Sequence, residues 1–292
     1  MALAQAGTVA DSIGDAELVQ IRTSGDEGEP AAAVTDDKSR FVREIERALL
    51  AGEVELAVHS AKDLPGEIPD GLALVGVPAR EDPADAWVGT AASLLEVPEG
   101  ARVGTASLRR RSQLLALRPD LEIVEIRGNV DTRLRKLGDG EVDGIVLAAA
   151  GLERLGRASE IAFRFELRAL TPAPGQGSLA LEARAGDADS AAAAAELTDR
   201  DALIELTAER AAVAGLDASC DTPVGVCARH REGVLVVQGF AGLPDGSEHV
   251  YDEVEGDPAQ PVALGEALVE RMAAAGALEL LARATSTRHD VV

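Results

Sequence analysis

The chain has 292 residues, 46% of them hydrophobic, enough for two or three domains with cores of their own. No apolar run approaches the roughly 20 residues that cross a bilayer, which excludes a membrane-spanning helix. A formal charge of −23, from 51 acidic and 28 basic residues, argues against nucleic acid as a partner.

In chain order, residues 1–20 carry acids but neither a basic stretch nor an apolar core, so no secretory leader is read and a cytoplasmic location is expected. The first half alternates short β-branched runs with amphipathic helices, the pattern of α/β layers with largely parallel sheets. Strands are predicted over Leu18–Thr23, Leu56–His59, Leu72–Val77, Glu122–Ile126 and Gly144–Leu147. Helices are predicted over Phe41–Leu50, with Ile45, Leu49 and Leu50 on one face, and over Leu108–Leu117 and Val130–Leu137. The strand pattern stops at Pro78–Pro83, where the chain reads as crossing between two α/β units, and a second crossing falls near Thr171–Pro174. The alanine run Ala191–Ala195 reads as helix. From about residue 200 the pattern changes: Asp201 is an N-cap candidate for a helix to about Ala214, strands Val224–Arg229 and Val234–Phe240 meet across a charged turn, and a last long helix spans Ala263–Ala282. This is a smaller α+β domain, with Cys220 on the loop between its first helix and first strand.

Two strand-to-helix junctions carry the chemistry that can be read from residues alone. Val103-Gly104-Thr105-Ala106-Ser107-Leu108-Arg109-Arg110 offers backbone N–H groups, a helix dipole, hydroxyls and two arginines, a set suited to an anion, though a capped helix with solvated arginines reads the same way. Ile126-Arg127-Gly128-Asn129-Val130-Asp131-Thr132-Arg133 repeats the arrangement. Junctions at the carboxyl ends of neighbouring strands converge on one crevice in open α/β sheets. Guanidinium groups gathered in so acidic a chain need an anionic partner, and their planar fork suits carboxylates. A third segment, His59-Ser60-Ala61-Lys62-Asp63-Leu64-Pro65, leaves a buried strand and ends in a polar turn; Asp63 there is either a turn residue or a carboxylate placed to stabilise a cation or move a proton.

Cys220 and Cys227 are too few for a disulfide framework and lack the spacing of a zinc or redox pair. Cys220 lies on a loop, where it is accessible as a nucleophile or attachment point, whereas Cys227, in an apolar run, reads as core. His230, His249 and His289 form no metal-ligand spacing, His59 reads as a hydrogen-bonded core residue, and no metal is expected. Lys38, Lys62 and Lys136 are the only lysines. Scarce lysine with excess acid looks like adaptation to high salt, where repulsion is screened within about 3 Å at 1 M; an ordinary acidic protein from a GC-rich genome reads alike.

Taken together, Thr23-Ser24-Gly25-Asp26, the Val58–Pro65 segment, Arg80-Glu81-Asp82-Pro83, Gly104–Arg110, Arg127–Arg133, Pro174-Gly175-Gln176-Gly177, Thr207-Ala208-Glu209-Arg210 and Cys220 resemble, in order and spacing, the porphobilinogen deaminase family. The resemblance implies two periplasmic-binding-protein-like α/β domains, residues 1–78 with 178–195 and residues 83–171, with the active site between them, and a C-terminal α+β domain over residues 200–292. It implies a transferase that joins four porphobilinogen units, each losing ammonia, into the linear tetrapyrrole hydroxymethylbilane on a dipyrromethane primer held by a thioether to Cys220. Asp63 matches the family's catalytic aspartate. Lys38, Ser60, Lys62, Thr105, Ser107, Arg109, Arg110 and Arg133 fall on the cofactor side, and Arg127, Arg154, Gln176 and Arg210 on the substrate side. A monomer is the family expectation, with no nucleic-acid or membrane partner.

Two departures stand out. Family members begin with a strand bearing Thr-Arg-x-Ser ahead of Leu-Ala-x-x-Gln, whereas this chain opens Met1-Ala2-Leu3-Ala4-Gln5-Ala6; a start assigned too late accounts for this better than a truncation. The family's glycine-rich, two-lysine loop becomes Val34-Thr35-Asp36-Asp37-Lys38-Ser39-Arg40, with Lys38 alone matching a basic position. The competing reading is a binding protein for small anions, because fold alone does not decide function. A cysteine on a third domain favours the enzyme.

Overall fold

A computed structural model describes residues 1–21, 37–218 and 222–289, without the side chains of residues 37–41 and 287–289. The chain falls into two compact units, residues 1–80 with 178–203 and residues 81–177 with 204–292.

In the first unit the strands are β1 (Leu56–Ser60), β2 (Leu72–Gly76) and β8 (Leu179–Arg184), with β8 in the middle and antiparallel to both neighbours. A central strand is covered on both faces, so Leu179 to Ala183 are all buried. Helix α1 (Ala2–Ile13) sends Val9 against Leu179, Leu181 and Ala194, the last from α6 (Ala188–Leu197), and α2 (Asp37–Ala51) packs Ala48 and Leu49 on Val54, Ala57 and Leu72. Leu49 is fully buried, but Leu50, expected on the same face, is 50% exposed, because one residue turns a helix by about 100°. The strand expected at Leu18–Thr23 is absent over Leu18–Ile21: among the described residues that run pairs with no strand, and it leaves Leu18 and Val19 exposed; Arg22 and Thr23 lie outside the described residues. A β-branched run becomes a strand only where a neighbouring edge completes its hydrogen bonds.

In the second unit, β3 (Asp85–Gly89), β4 (Arg102–Gly104), β5 (Glu122–Val124), β6 (Gly144–Ala148) and β7 (Phe163–Arg164) form a sheet in the order β5-β4-β6-β3-β7. Helices α3 (Leu108–Leu117) and α4 (Val130–Gly138) make the crossovers that keep β5, β4 and β6 parallel. Strand β3 enters antiparallel to both β6 and β7, and the first unit has only antiparallel pairs, so the expectation of largely parallel sheets is corrected to one antiparallel sheet and one mixed sheet. Successive residues of β3 serve opposite faces, Trp87 with Val103, Leu114 and Val146, and Ala86 and Val88 with Ile126, Ile145 and Leu152. Leu152 lies on the short helix α5 (Ala149–Arg154).

The C-terminal part is an antiparallel meander, β9 (Val224–Arg231), β10 (Val234–Gly242) and β11 (His249–Gly256), backed by α7 (Arg200–Gly215), α8 (Pro261–Ala274) and α9 (Ala277–His289). Strands β9 and β10 are closed by Glu232-Gly233, both with positive φ as a type I′ hairpin requires. Val226, Ala228, Leu235 and Val237 meet Ala208, Ala212, Leu268 and Met272 in its core. The single helix expected over Ala263–Ala282 is two, because Gly276 at φ +90 turns the chain out of the helical region. Among the described residues, no helix is long and apolar enough to cross a membrane.

Candidate active site

Asp63 closes a short 3-10 turn, Ala61–Asp63, that follows directly on β1. The Ala61 amide donates to the Ser178 carbonyl at 3.0 Å and buried Leu64 anchors the far side, so Ser60, Lys62 and Asp63 sit half-buried on a backbone tied to the start of β8. Just upstream His59 is buried, its Nε2 2.9 Å from Glu182 Oε2, the core role read from the sequence.

In the second unit the junction after β4 is organised by its own hydroxyls. Thr105 Oγ1 accepts from the Ser107 amide at 3.1 Å, and Ser107 caps α3 by accepting from the Arg110 amide. Arg109 and Arg110 do not point into solvent. Both are buried against Asp85, which is 0% exposed: Arg109 Nη1 donates to Oδ2 at 2.7 Å, and Arg110 donates to Oδ1 through Nε at 3.0 Å and Nη2 at 2.7 Å. Arg109 Nη1 also reaches the Thr171 carbonyl, and Arg110 Nη1 the Val146 carbonyl. Burial works against the Asp85 charge, but the two guanidiniums outweigh it and hold the carboxyl far below the usual carboxylate range.

Gln176 joins this cluster, its amide donating to Asp85 Oδ1 at 2.9 Å and to the Pro83 carbonyl at 2.6 Å. Asn129 caps α4 through the Thr132 amide, and Arg133, one turn in, donates from Nε to the Gly128 carbonyl at 2.8 Å. Burial, then the charge of Arg110, lowers the pKa of Arg133, and among the described residues no carboxylate is bonded to it. The structure thus brings Thr105, Ser107, Arg109, Arg110 and Gln176 together, with Arg133 within electrostatic reach of Arg110.

Other expected residues stand apart. Arg127 is exposed and pairs with Glu125 at 2.6 Å. Arg154 lies 3.1 Å from Glu81 Oε2 and donates to the Gly177 carbonyl at 2.7 Å, while Arg210 is half-buried on α7. Cys220 and the side chain of Lys38 lie outside the described residues. Cys227 is buried, as its apolar run predicted. Sequence reading passed over Asp85, which organises the arginines; the available signal was an acid inside the apolar run Pro83-Ala84-Asp85-Ala86-Trp87-Val88, since a charge in a buried strand requires a cation.

A family model described as "Porphobilinogen deaminase, dipyromethane cofactor binding domain" matches residues 1–192, and another, "Porphobilinogen deaminase, C-terminal domain", matches residues 203–274. The chain belongs to the porphobilinogen deaminase family. A porphobilinogen deaminase from Syntrophus aciditrophicus is 45% identical over 91% of this chain and 87% of its own length, and one from Thermus thermophilus 46% identical over 90% and 87%. One from Roseiflexus sp. is 49% identical over 84% and 81%. Two solved structures are similar at lower identity. The periplasmic VFT2 domain of BvgS from Bordetella pertussis is 19% identical at a TM-score of 0.32, covering 53% of this chain and 66% of that one. A TRAP periplasmic solute binding protein from Desulfovibrio salexigens is 12% identical at a TM-score of 0.33, covering 52% and 56%.

The residues present fit a dipyrromethane, whose pyrroles bear acetate and propionate carboxylates. Among the described residues, Arg109 Nε is buried with no hydrogen-bond partner, and Arg133 is desolvated beside another cation instead of an acid. A buried guanidinium donor left unmade is costly, and a carboxylate is the acceptor that matches it.

Proposed function

We infer that this chain is the transferase that couples four porphobilinogen units, with loss of ammonia, into hydroxymethylbilane on a covalently held dipyrromethane. Family membership across two adjoining matches, residues 1–192 and 203–274, carries this reading. The dipyrromethane, when bound, supplies the nucleophilic pyrrole carbon and the tether for the growing chain, and Cys220 is the residue that attaches it. Ser60, Lys62, Thr105, Ser107 and Lys38, with the cluster of Arg109, Arg110 and Arg133, form the cofactor side; Arg127, Arg154, Gln176 and Arg210 form the substrate side. What supports this division is the excess of guanidinium over carboxylate at the α3 and α4 junctions of a chain whose net charge is −23.

Asp63 is the catalytic residue. Its carboxylate accepts from the pyrrole N–H of porphobilinogen and offsets the positive charge that develops as ammonia departs. The turn that carries it is fixed at both ends by Leu64 and the Ala61 amide, so the carboxylate needs little reorganisation. The protein works as a cytoplasmic monomer without nucleic acid or membrane, its surface is adapted to high salt, and it divides into two α/β domains, residues 1–78 with 178–195 and residues 83–171, and a cofactor-bearing domain over residues 200–292.

The deciding experiment is the intact mass of the denatured protein with peptide mapping around Cys220. An added mass of two linked pyrroles on Cys220 is expected, because a thioether survives denaturation; an unmodified thiol after incubation with porphobilinogen would sink the reading. In Asp63→Asn the added mass is expected to persist while turnover falls by at least about 10²-fold, the usual cost of removing one group that stabilises developing charge. Near wild-type turnover in that variant would remove Asp63 from the chemistry.

A further inference from the structure

Strand β9 is an outer strand of the C-terminal meander, so every second amide along it faces away from β10. Those outward amides are met by a carbonyl and two carboxylates. The Val226 amide donates to the Pro172 carbonyl at 3.0 Å, the Ala228 amide to Glu209 Oε1 at 2.7 Å and the His230 amide to Glu205 Oε1 at 3.1 Å. Both glutamates are buried on α7, four residues apart on one face. Four residues advance a helix by about 6 Å and two residues advance a strand by about 6.6 Å, so the carboxylates meet alternate amides in register.

The glutamates differ in their second oxygen. Glu205 Oε2 returns to β9, accepting from Arg229 Nη1 at 3.0 Å. Glu209 Oε2 leaves the meander and accepts from the Gly175 amide at 2.6 Å. Gly175, at φ +72, precedes Gln176 in a turn closed by the Gln176 amide donating to the Ala173 carbonyl at 3.0 Å. Glu209 is 0% exposed, and a charge so buried is retained only where polar partners meet it. In sequence, α7 and β9 flank the segment that carries Cys220.

We propose that Glu209 is a positioning residue for the transfer reaction: one carboxylate holds both β9, the strand that follows the Cys220 segment, and the turn that carries Gln176, and keeps the two at a fixed separation. The proposal rests on the reading of Cys220 as the attachment point and Gln176 as a substrate-side residue. Glu209 acts through backbone amides and not on the reacting atoms. A chain tethered at one end and extended at the other adds each unit at a rate set by the spacing between tether and incoming unit. Glu205 grips the same strand with both its oxygens, and so separates support of the fold from the bridge to the turn.

The test compares Glu209→Gln with Glu205→Gln in protein already loaded with dipyrromethane, by thermal unfolding and by steady-state turnover of porphobilinogen at a temperature where both are folded. Glutamine keeps the size of the side chain but turns one acceptor oxygen into a donor, which cannot take a bond from an amide. Both variants are expected to melt several degrees lower, because each leaves a donor without its acceptor. Glu209→Gln is further expected to lower kcat roughly tenfold with a smaller change in KM, whereas Glu205→Gln turns over within about twofold of wild type. In the wild-type protein the Gly175 amide is expected to exchange with deuterium as slowly as the amides of β9, although it lies in a turn. The proposal is overturned if folded, loaded Glu209→Gln turns over like Glu205→Gln, or if the wild-type Gly175 amide exchanges at the rate of an open turn, a result that requires no variant to fold. A wild-type protein that never gains the dipyrromethane mass defeats the functional reading itself. A loaded, active wild type whose two variants cannot be told apart defeats only the role of Glu209.

Discussion

Glu46 and Glu182 are both buried in the first unit, and among the described residues the Oε1 atom of each has no hydrogen-bond partner. Burial, then the nearby Glu182 charge, raises Glu46 above its ordinary value of 4.5, while His59 and Arg43 pull it back. A carboxyl whose folded pKa is raised favours the fold when protonated; that contribution is whole below the unfolded value and disappears as pH rises through the folded one. Glu46→Gln, which cannot ionise, is therefore expected to gain on wild type in melting temperature from about pH 4.5 upward and to show no gain at the acid end. A constant offset between pH 4 and pH 8 would contradict the assignment. Asp85 has the opposite sign: its depressed pKa contributes stability above the unfolded value that is lost only on strong acidification. Glu182 and Asp85 each lie in a short apolar run, a signal that the acid is buried but not of what it meets; only folding puts His59 beside one and two arginines beside the other.

At the level of elements, the turn Pro174-Gly175-Gln176-Gly177 shows how a motif legible in sequence takes its meaning from packing. Gly177 has φ +88, and a Cβ there would lie 2.4 Å from the Glu81 carbonyl oxygen. The Gly177 carbonyl accepts from the Glu81 amide and from Arg154 Nη2, so the same residue ties two expected site segments together. Gly177→Ala combines left-handed strain with a backbone clash and is expected to cost at least about 2 kcal/mol in denaturant unfolding. A cost below about 0.5 kcal/mol, ordinary for a surface site, would mean that the backbone moves aside freely. Gly276, by contrast, breaks the C-terminal helix that periodicity read as continuous; both helices are apolar on one face, so the pattern runs on through a residue whose φ ends the helix. Strand β11 went unread because His249-Val250-Tyr251-Asp252-Glu253-Val254-Glu255-Gly256 is mostly polar, and its strand state comes from pairing with β10.

For the whole molecule the dominant quantity is the net charge of −23. Repulsion among exposed acids falls as the Debye length shortens from about 10 Å at 0.1 M to about 3 Å at 1 M salt. Many acids at or near the surface are locally paired, as half-buried Asp252 with Arg271 and exposed Glu248 with Arg283, and salt weakens such pairs as well. If repulsion prevails, the melting temperature rises by several degrees between 0.1 and 2 M potassium chloride. A fall over that range would identify an acidic protein without salt adaptation, its surface pairs outweighing the repulsion.

Local information was enough for much of this. Apolar periodicity located β1, β2, β6, β9 and β10 and the helices α2, α3 and α4 to within a few residues, because each carries its own pattern of burial. The order of short motifs was enough for the family, and the arginine-bearing junctions after β4 and β5 pointed to a carboxylate-rich ligand from charge alone. What only the tertiary structure decided was partnership. Leu18–Ile21 has strand composition but is no strand among the described residues, β3 runs antiparallel to both its neighbours, and adjacent Arg109 and Arg110 meet different atoms of one buried Asp85. Pairing and burial are properties of residues distant in sequence, and the energy of a hydrogen bond or a buried charge depends on the partner that folding supplies.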